Sequence, residues 1–168
     1  LIRPAILTQD EIAAVLDQID RINHSPASLP PEQRAMPGGA ASLLIDHPQI
    51  VEVLHEIIGP DIRLENSYCI WREKGEQHGE LHGGGPRQSD PIFGYRCQNG
   101  RIHAGMVRVV FELTAVGRED GGTHFIPGSH KINFPMHPDH MSLEDGKRSE
   151  FLRSYECPAG SAIFFTNS

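Results

Sequence analysis

Cysteine is scarce in this chain, and its placement excludes more than its number. Cys69, Cys97 and Cys157 contain no C-x-x-C pair, so neither a zinc ribbon nor a redox dithiol is signalled. Buried free thiols in a reducing, cytoplasmic compartment are the expectation. No apolar run reaches the roughly 18 residues of a membrane span. No signal peptide is visible, and a first residue of Leu1 in place of Met leads to the expectation that the start is cut. Basic blocks are missing too: 15 Lys and Arg against 22 Asp and Glu leave a net charge of −7. That disfavours a nucleic-acid backbone as partner. There is no internal repeat and no low-complexity tract. What remains is a globular domain whose expected partner is a small molecule, with neither nucleic acid nor membrane.

The 168 residues, 38% of them hydrophobic, suffice for one domain burying roughly 70% of its unfolded-chain surface. Thr8-Gln9-Asp10-Glu11 reads as a capping box, and Ile12, Val15, Leu16 and Ile19 continue it at helical spacing over residues 9–22. Residues 23–42, with four prolines, read as a surface loop. A second helix is expected over 48–58, capped by Asp46 and stopped by Gly59, with Ile50, Val51, Leu54, Ile57 and Ile58 as its buried stripe. From Asp61 the pattern turns to strands: 61–73, 103–115, 123–126, 153–156 and 161–166, the last two joined by a Pro-Ala-Gly turn at 158–160. The division is thus a helical part, 1–60, and a β part, 61–168, of one domain.

The segment 73–101 reads as a long loop rich in Gly and His, and long loops in compact domains are usually functional or disordered. It holds His78, Glu80 and His82, followed by three glycines. On an extended strand these three potential ligands share parity and point to one side. The H-x-E-x-H spacing is compatible with zinc as well, but it is not the helical H-E-x-x-H of metalloproteases. The competing reading is a solvated polar loop. His103 reads as a half-buried strand residue. Arg108 lies opposite in parity to Val107 and Val109; inside a barrel mouth it would pair a carboxylate bidentately, and on an outer face it would be an ordinary surface residue. Arg101, Tyr95 and Arg96 have similar standing as substrate contacts. Asp120-Gly121-Gly122 and Pro127-Gly128-Ser129-His130 read as structural turns. His130 is expected to bond local backbone, and His137 and His140 to be exposed.

Taken together, GGTHFIPGSHK at 121–131 and LHGGG at 81–85 resemble the phytanoyl-CoA dioxygenase family. The resemblance implies a double-stranded β-helix (a cupin-like jelly roll) with the N-terminal helices packed outside. It also implies an Fe(II)/2-oxoglutarate-dependent oxygenase, which couples oxidative decarboxylation of 2-oxoglutarate to hydroxylation of a small organic substrate. In the family the first iron-binding His and the carboxylate come as H-x-D. His82 takes the place of that His, but Gly84 stands where Asp is expected. Three readings stay open: a carboxylate from another register, Glu80 or the more distant Asp90; an open position that admits chloride, as in related iron halogenases; or a non-catalytic domain that binds a small molecule or a structural metal. The segment CPAGSAIFFTNS resembles the strand that leads to the family's second iron-binding His. The resemblance therefore implies a chain that stops inside the barrel, before that His and the 2-oxoglutarate Arg. A homo-oligomer would then cover the open strand edges.

Overall fold

The computed structural model describes residues 1–71, 81, 92, 94–118, 120–132, 134–143 and 148–166. In chain order its regular elements are β1 (Ile2–Arg3), α1 (Gln9–His24), α2 (Pro48–Ile57), β2 (Tyr95–Gln98), β3 (Arg101–Ala104), β4 (Val107–Glu112) and β5 (Ser161–Thr166). No helix among the described residues is long and apolar enough to cross a membrane.

The capping box forms as the sequence predicts. Glu11 N–H donates to Thr8 Oγ1 at 3.3 Å, and Thr8 N–H donates to Glu11 Oε2 at 2.7 Å. These bonds satisfy amide donors that an α-helix start otherwise leaves open. Ile12, Val15 and Ile19 bury one face of α1, and Val15 and Ile19 pack with Ala41 and the half-buried Met36 and Leu44. Residues 23–42 are more ordered than their composition predicts: short 3₁₀ turns occupy 26–28, 31–33 and 39–44. The buried Gln18 holds this segment by donating from Nε2 to the Gln33 carbonyl at 2.8 Å. Of the four prolines read as loop signals, Pro26 and Pro31 open two of these turns, where a missing N–H costs nothing.

Helix α2 is capped at His47, not Asp46, with Pro48 in its first turn. Its buried residues are Ile50 and Val53, so Val53 replaces Val51 in the expected stripe. With Leu54 and Ile57 they form an i, i+3, i+4, i+7 face. That face covers one side of an antiparallel sheet of order β1-β5-β4. β4 and β5 pair from Val107 opposite Thr166 to Glu112 opposite Ser161. Alternation along the strands therefore sends Val107, Val109, Phe111, Ala162 and Phe164 toward α2. Val110, Ile163 and Phe165 go to the second face, where they meet Val116, Tyr155 and Cys157. Each fully buried Ile or Phe here contributes roughly 1.5–3 kcal/mol.

The turn before β5 needs its glycine. Gly160 has φ +79°, and a Cβ there would lie 2.9 Å from the Leu7 carbonyl oxygen. The Gly160 carbonyl in turn accepts from Ile6 and Leu7 N–H at 2.9 and 3.1 Å.

Several strand expectations need correction. Residues 61–71 form no strand; Leu64, Tyr68, Ile70 and Trp71 stand exposed. The segment 103–115 is not continuous: His103 and Ala104 end β3, and β4 starts at Val107. Residues 123–126 and 153–156 are joined by one bridge, Phe125 with Arg153. Of the cysteines only Cys157 is buried, while Cys69 and Cys97 are exposed.

Candidate functional site

His78, Glu80 and His82, with Gly84 and Asp90, lie outside the described residues. Among the described residues no group of three or more His, Cys, Asp or Glu is placed to hold a metal. The candidate site is therefore built from the wall that the described strands supply.

Arg108 belongs to that wall. It sits opposite Phe165 in the β4–β5 ladder, on the face turned away from α2, and is half-buried. Its Cζ lies over the Phe165 ring, 5.9 Å from the centroid, a cation–π contact that orients the guanidinium without neutralising it. Among the described residues no carboxylate pairs with it. A half-buried guanidinium resting on an apolar floor is chemically suited to pairing a carboxylate bidentately.

Further along the same face Glu112 meets Tyr155. The Tyr155 hydroxyl donates to Glu112 Oε1, and Thr123 Oγ1 lies 3.4 Å from that hydroxyl. The bond links β4 to the 153–157 segment. Burial, and then the bond to Glu112, push the Tyr155 phenol well above its ordinary value; burial also pushes the Cys157 thiol up. A phenol whose folded pKa is raised adds stability that is full below its unfolded value, about 10, and is lost as pH rises above it. Tyr155→Phe leaves the carboxylate without its donor. It should cost about 1.5–3 kcal/mol in urea unfolding at neutral pH, with a smaller loss of stability above about pH 10 than in the parent.

β2 and β3 form a two-residue hairpin whose turn, Asn99-Gly100, has φ +53° and +73°, the sense that suits a type I′ turn. Tyr95, half-buried at its base, packs edge-to-face on His130 with ring centroids 4.5 Å apart. The imidazole thus docks the hairpin on the Pro-Gly-Ser-His turn in place of the expected local backbone bond. Burial, then the nearby Lys131 charge, hold the His130 pKa below its usual value. Gly128 supplies the left-handed step of that turn, φ +83°. Arg101 is exposed at the hairpin tip, about 10 Å of strand from Tyr95. Arg96 is exposed too, and so is His103 opposite it, not half-buried as expected.

One concavity was not foreseen. Ile126, Ile132, Phe134, Met136, His140 and Phe151 line a pocket of about 450 Å³, with Pro135 and His137 at its wall. His137 and His140 are exposed as expected, and His140 packs edge-to-face on Phe151 with centroids 5.0 Å apart. The available signal was Phe134 and Met136 flanking Pro135 in a stretch otherwise read as polar. Arg148 meets His124 Nε2, tying the segment past the pocket to residues 123–126.

The architecture is that of a helix-covered antiparallel sheet whose face away from α2 carries a cation that no carboxylate among the described residues pairs. Its whole length, residues 1–168, matches the family model described as Phytanoyl-CoA dioxygenase (PhyH), and the chain belongs to that family. Iron and 2-oxoglutarate, expected from the sequence, are the cofactors of the family. Among solved structures the chain is similar to HygX from Streptomyces hygroscopicus. With nickel and 2-oxoglutarate bound, HygX matches at 20% identity and a TM-score of 0.76, covering 99% of this chain and 72% of that one. With iron bound it matches at 21% identity and a TM-score of 0.75, with the same coverage. The HygX structure with nickel, 2-oxoglutarate and hygromycin B bound matches at 16% identity and a TM-score of 0.68, again with the same coverage. At these identities the likeness is one of fold. No curated protein sequence matches the chain.

Proposed function

We propose that this protein is an Fe(II)/2-oxoglutarate-dependent oxygenase that hydroxylates a small organic substrate, on a double-stranded β-helix spanning 1–168. The observation that carries the reading is Arg108: a half-buried guanidinium over Phe165, on the sheet face away from the helices. The donor set suits a dicarboxylate co-substrate or a substrate carboxylate. In this reading His82 binds iron, with Glu80 and His78 as the neighbouring ligand candidates. When bound, iron and 2-oxoglutarate supply the oxidising chemistry. The chain's own part is to hold and exclude. Arg108 fixes a carboxylate at the wall, Val110, Ile163 and Phe165 keep water from that face, and the Tyr155–Glu112 bond braces it. Tyr95 and Arg101 are the remaining substrate-contact candidates on the hairpin.

A second reading rests on Gly84 standing two residues after His82. A position without a carboxylate side chain leaves room for chloride, and the enzyme would then halogenate.

Anaerobic titration of the full-length protein with Fe(II) and then 2-oxoglutarate tests both. A visible metal-to-ligand charge-transfer band is the expected result, and a chloride-dependent shift of that band favours the halogenase. If no band forms, the domain binds small molecules without iron chemistry.

A further inference from the structure

The pocket beyond the Pro-Gly-Ser-His turn has a composition that selects its occupant. Among the described residues its walls are apolar except for two histidines, and four of the eight that line it carry aromatic rings: Phe134, His137, His140 and Phe151. Ring-lined walls favour a flat ring, which they meet edge-on or offset, over a flexible chain. A volume of about 450 Å³ lies within the range that holds small ligands. Among the described residues no Lys, Arg, Asp or Glu lines it, so these walls offer an ionised group no charged partner to replace the hydration it gives up.

The position of the pocket links it to the proposed site. Val116 bridges Cys157 and Gly160 N–H donates to the Glu112 carbonyl, which gathers Glu112, Val116, Cys157 and Gly160 at one end of the two ladders. Arg108 is four strand residues away from Glu112, roughly 13 Å. Ile126 is three residues past Thr123, the partner of Tyr155, roughly 10 Å of extended chain. The pocket therefore starts within about 10 Å of chain from the Tyr155–Glu112 bond that braces the proposed wall.

We propose that this pocket binds an uncharged aromatic ring of the small molecule that the enzyme oxidises. The proposal rests on the oxygenase reading for the word substrate, but the binding itself needs neither iron nor 2-oxoglutarate. The assignment makes the substrate an aryl compound, with the ring held by Phe134 and Phe151.

The test is titration of the metal-free full-length protein with N-phenyl-1-naphthylamine, a neutral aryl fluorophore that brightens on leaving water. Saturable binding at one site is expected, weakened about tenfold or more by Phe134→Ser and by Phe151→Ser. Phe151→Leu keeps apolar bulk in place should the serine variants fail to fold. It should still weaken the probe about threefold, because the ring contact is gone. Trp71→Ser removes an exposed ring elsewhere and should leave the titration unchanged. The proposal is overturned by non-saturable binding, by loss through Trp71→Ser in place of the Phe variants, or by full affinity in Phe151→Leu. Displacement of the probe by 1-octanol more readily than by 2-naphthol would also overturn it, in favour of an alkyl occupant. The charge-transfer titration is read separately, so an absent band with intact probe binding sinks the oxygenase reading and leaves the pocket standing.

Discussion

His82→Ala in the full-length protein should abolish stoichiometric iron binding, and with it the charge-transfer band on adding 2-oxoglutarate. Loss of a group that only orients a metal ligand already costs roughly 10–100-fold in affinity. Loss of a ligand itself should exceed that, so occupancy at micromolar Fe(II) should fall below detection. His78 and Glu80 share strand parity with His82, which makes them the informative companions. If H-x-E supplies the carboxylate, Glu80→Gln weakens iron binding nearly as much. If Glu80→Gln leaves iron bound and chloride shifts the band, the position at Gly84 is open and halogenation is the better reading. Undiminished iron in His82→Ala would place the metal elsewhere. Circular dichroism, compared with the parent, separates ligand loss from unfolding.

Arg108→Gln should raise the concentration of a carboxylate ligand needed for half-saturation by roughly tenfold to a hundredfold. The estimate follows from losing a charge-assisted hydrogen bond, about 1.5–3 kcal/mol. Two titrations assign the carboxylate. If it belongs to 2-oxoglutarate, the band in the variant needs that much more co-substrate. If it belongs to the substrate, the band forms normally while substrate-dependent succinate release saturates late. Arg108→Lys keeps the charge without the planar fork and should recover only part of the loss. No change in either titration would return Arg108 to a structural role against Phe165.

The sequence revealed those elements whose physics is local. The α1 capping box needs only Thr8 and Glu11 and formed as read. β5 was legible because Ser161–Thr166 is dense in β-formers and follows a glycine turn. The alternation that put Arg108 opposite Val107 and Val109 also held. The hairpin β2–β3 was missed although Asn99-Gly100 is a strong turn signal. Its strands, Tyr-Arg-Cys-Gln and Arg-Ile-His-Ala, are mostly exposed and so lack the apolar alternation that marks a half-buried strand. Residues 61–71 erred the other way. Ile62, Leu64, Tyr68, Ile70 and Trp71 suggested a strand, but propensity makes a strand only where a neighbour completes the ladder, and none does among the described residues. The pocket was hidden because its walls converge from 126, 132–140 and 151, a closeness that no spacing along the chain encodes.

The position of β5 between β1 and β4 has a consequence for how the molecule comes into being. Both cores on the sheet include β5 residues: Ala162 and Phe164 against α2, Ile163 on the other side. Its β1 partner is Ile2, opposite Ile163, so the ladder joins residues separated by nearly the whole described chain. At ribosomal rates of about 5–20 residues per second, β5 follows β1 by roughly 8–30 s. Of that interval α2 waits roughly 5–20 s and β4 roughly 3–10 s, with apolar faces that meet each other but lack Ala162 and Phe164 to complete their core. Assembly is thus gated by the arrival of a late strand, and the emerging chain depends on its acidic surface, or on a chaperone, to stay apart from its neighbours until then.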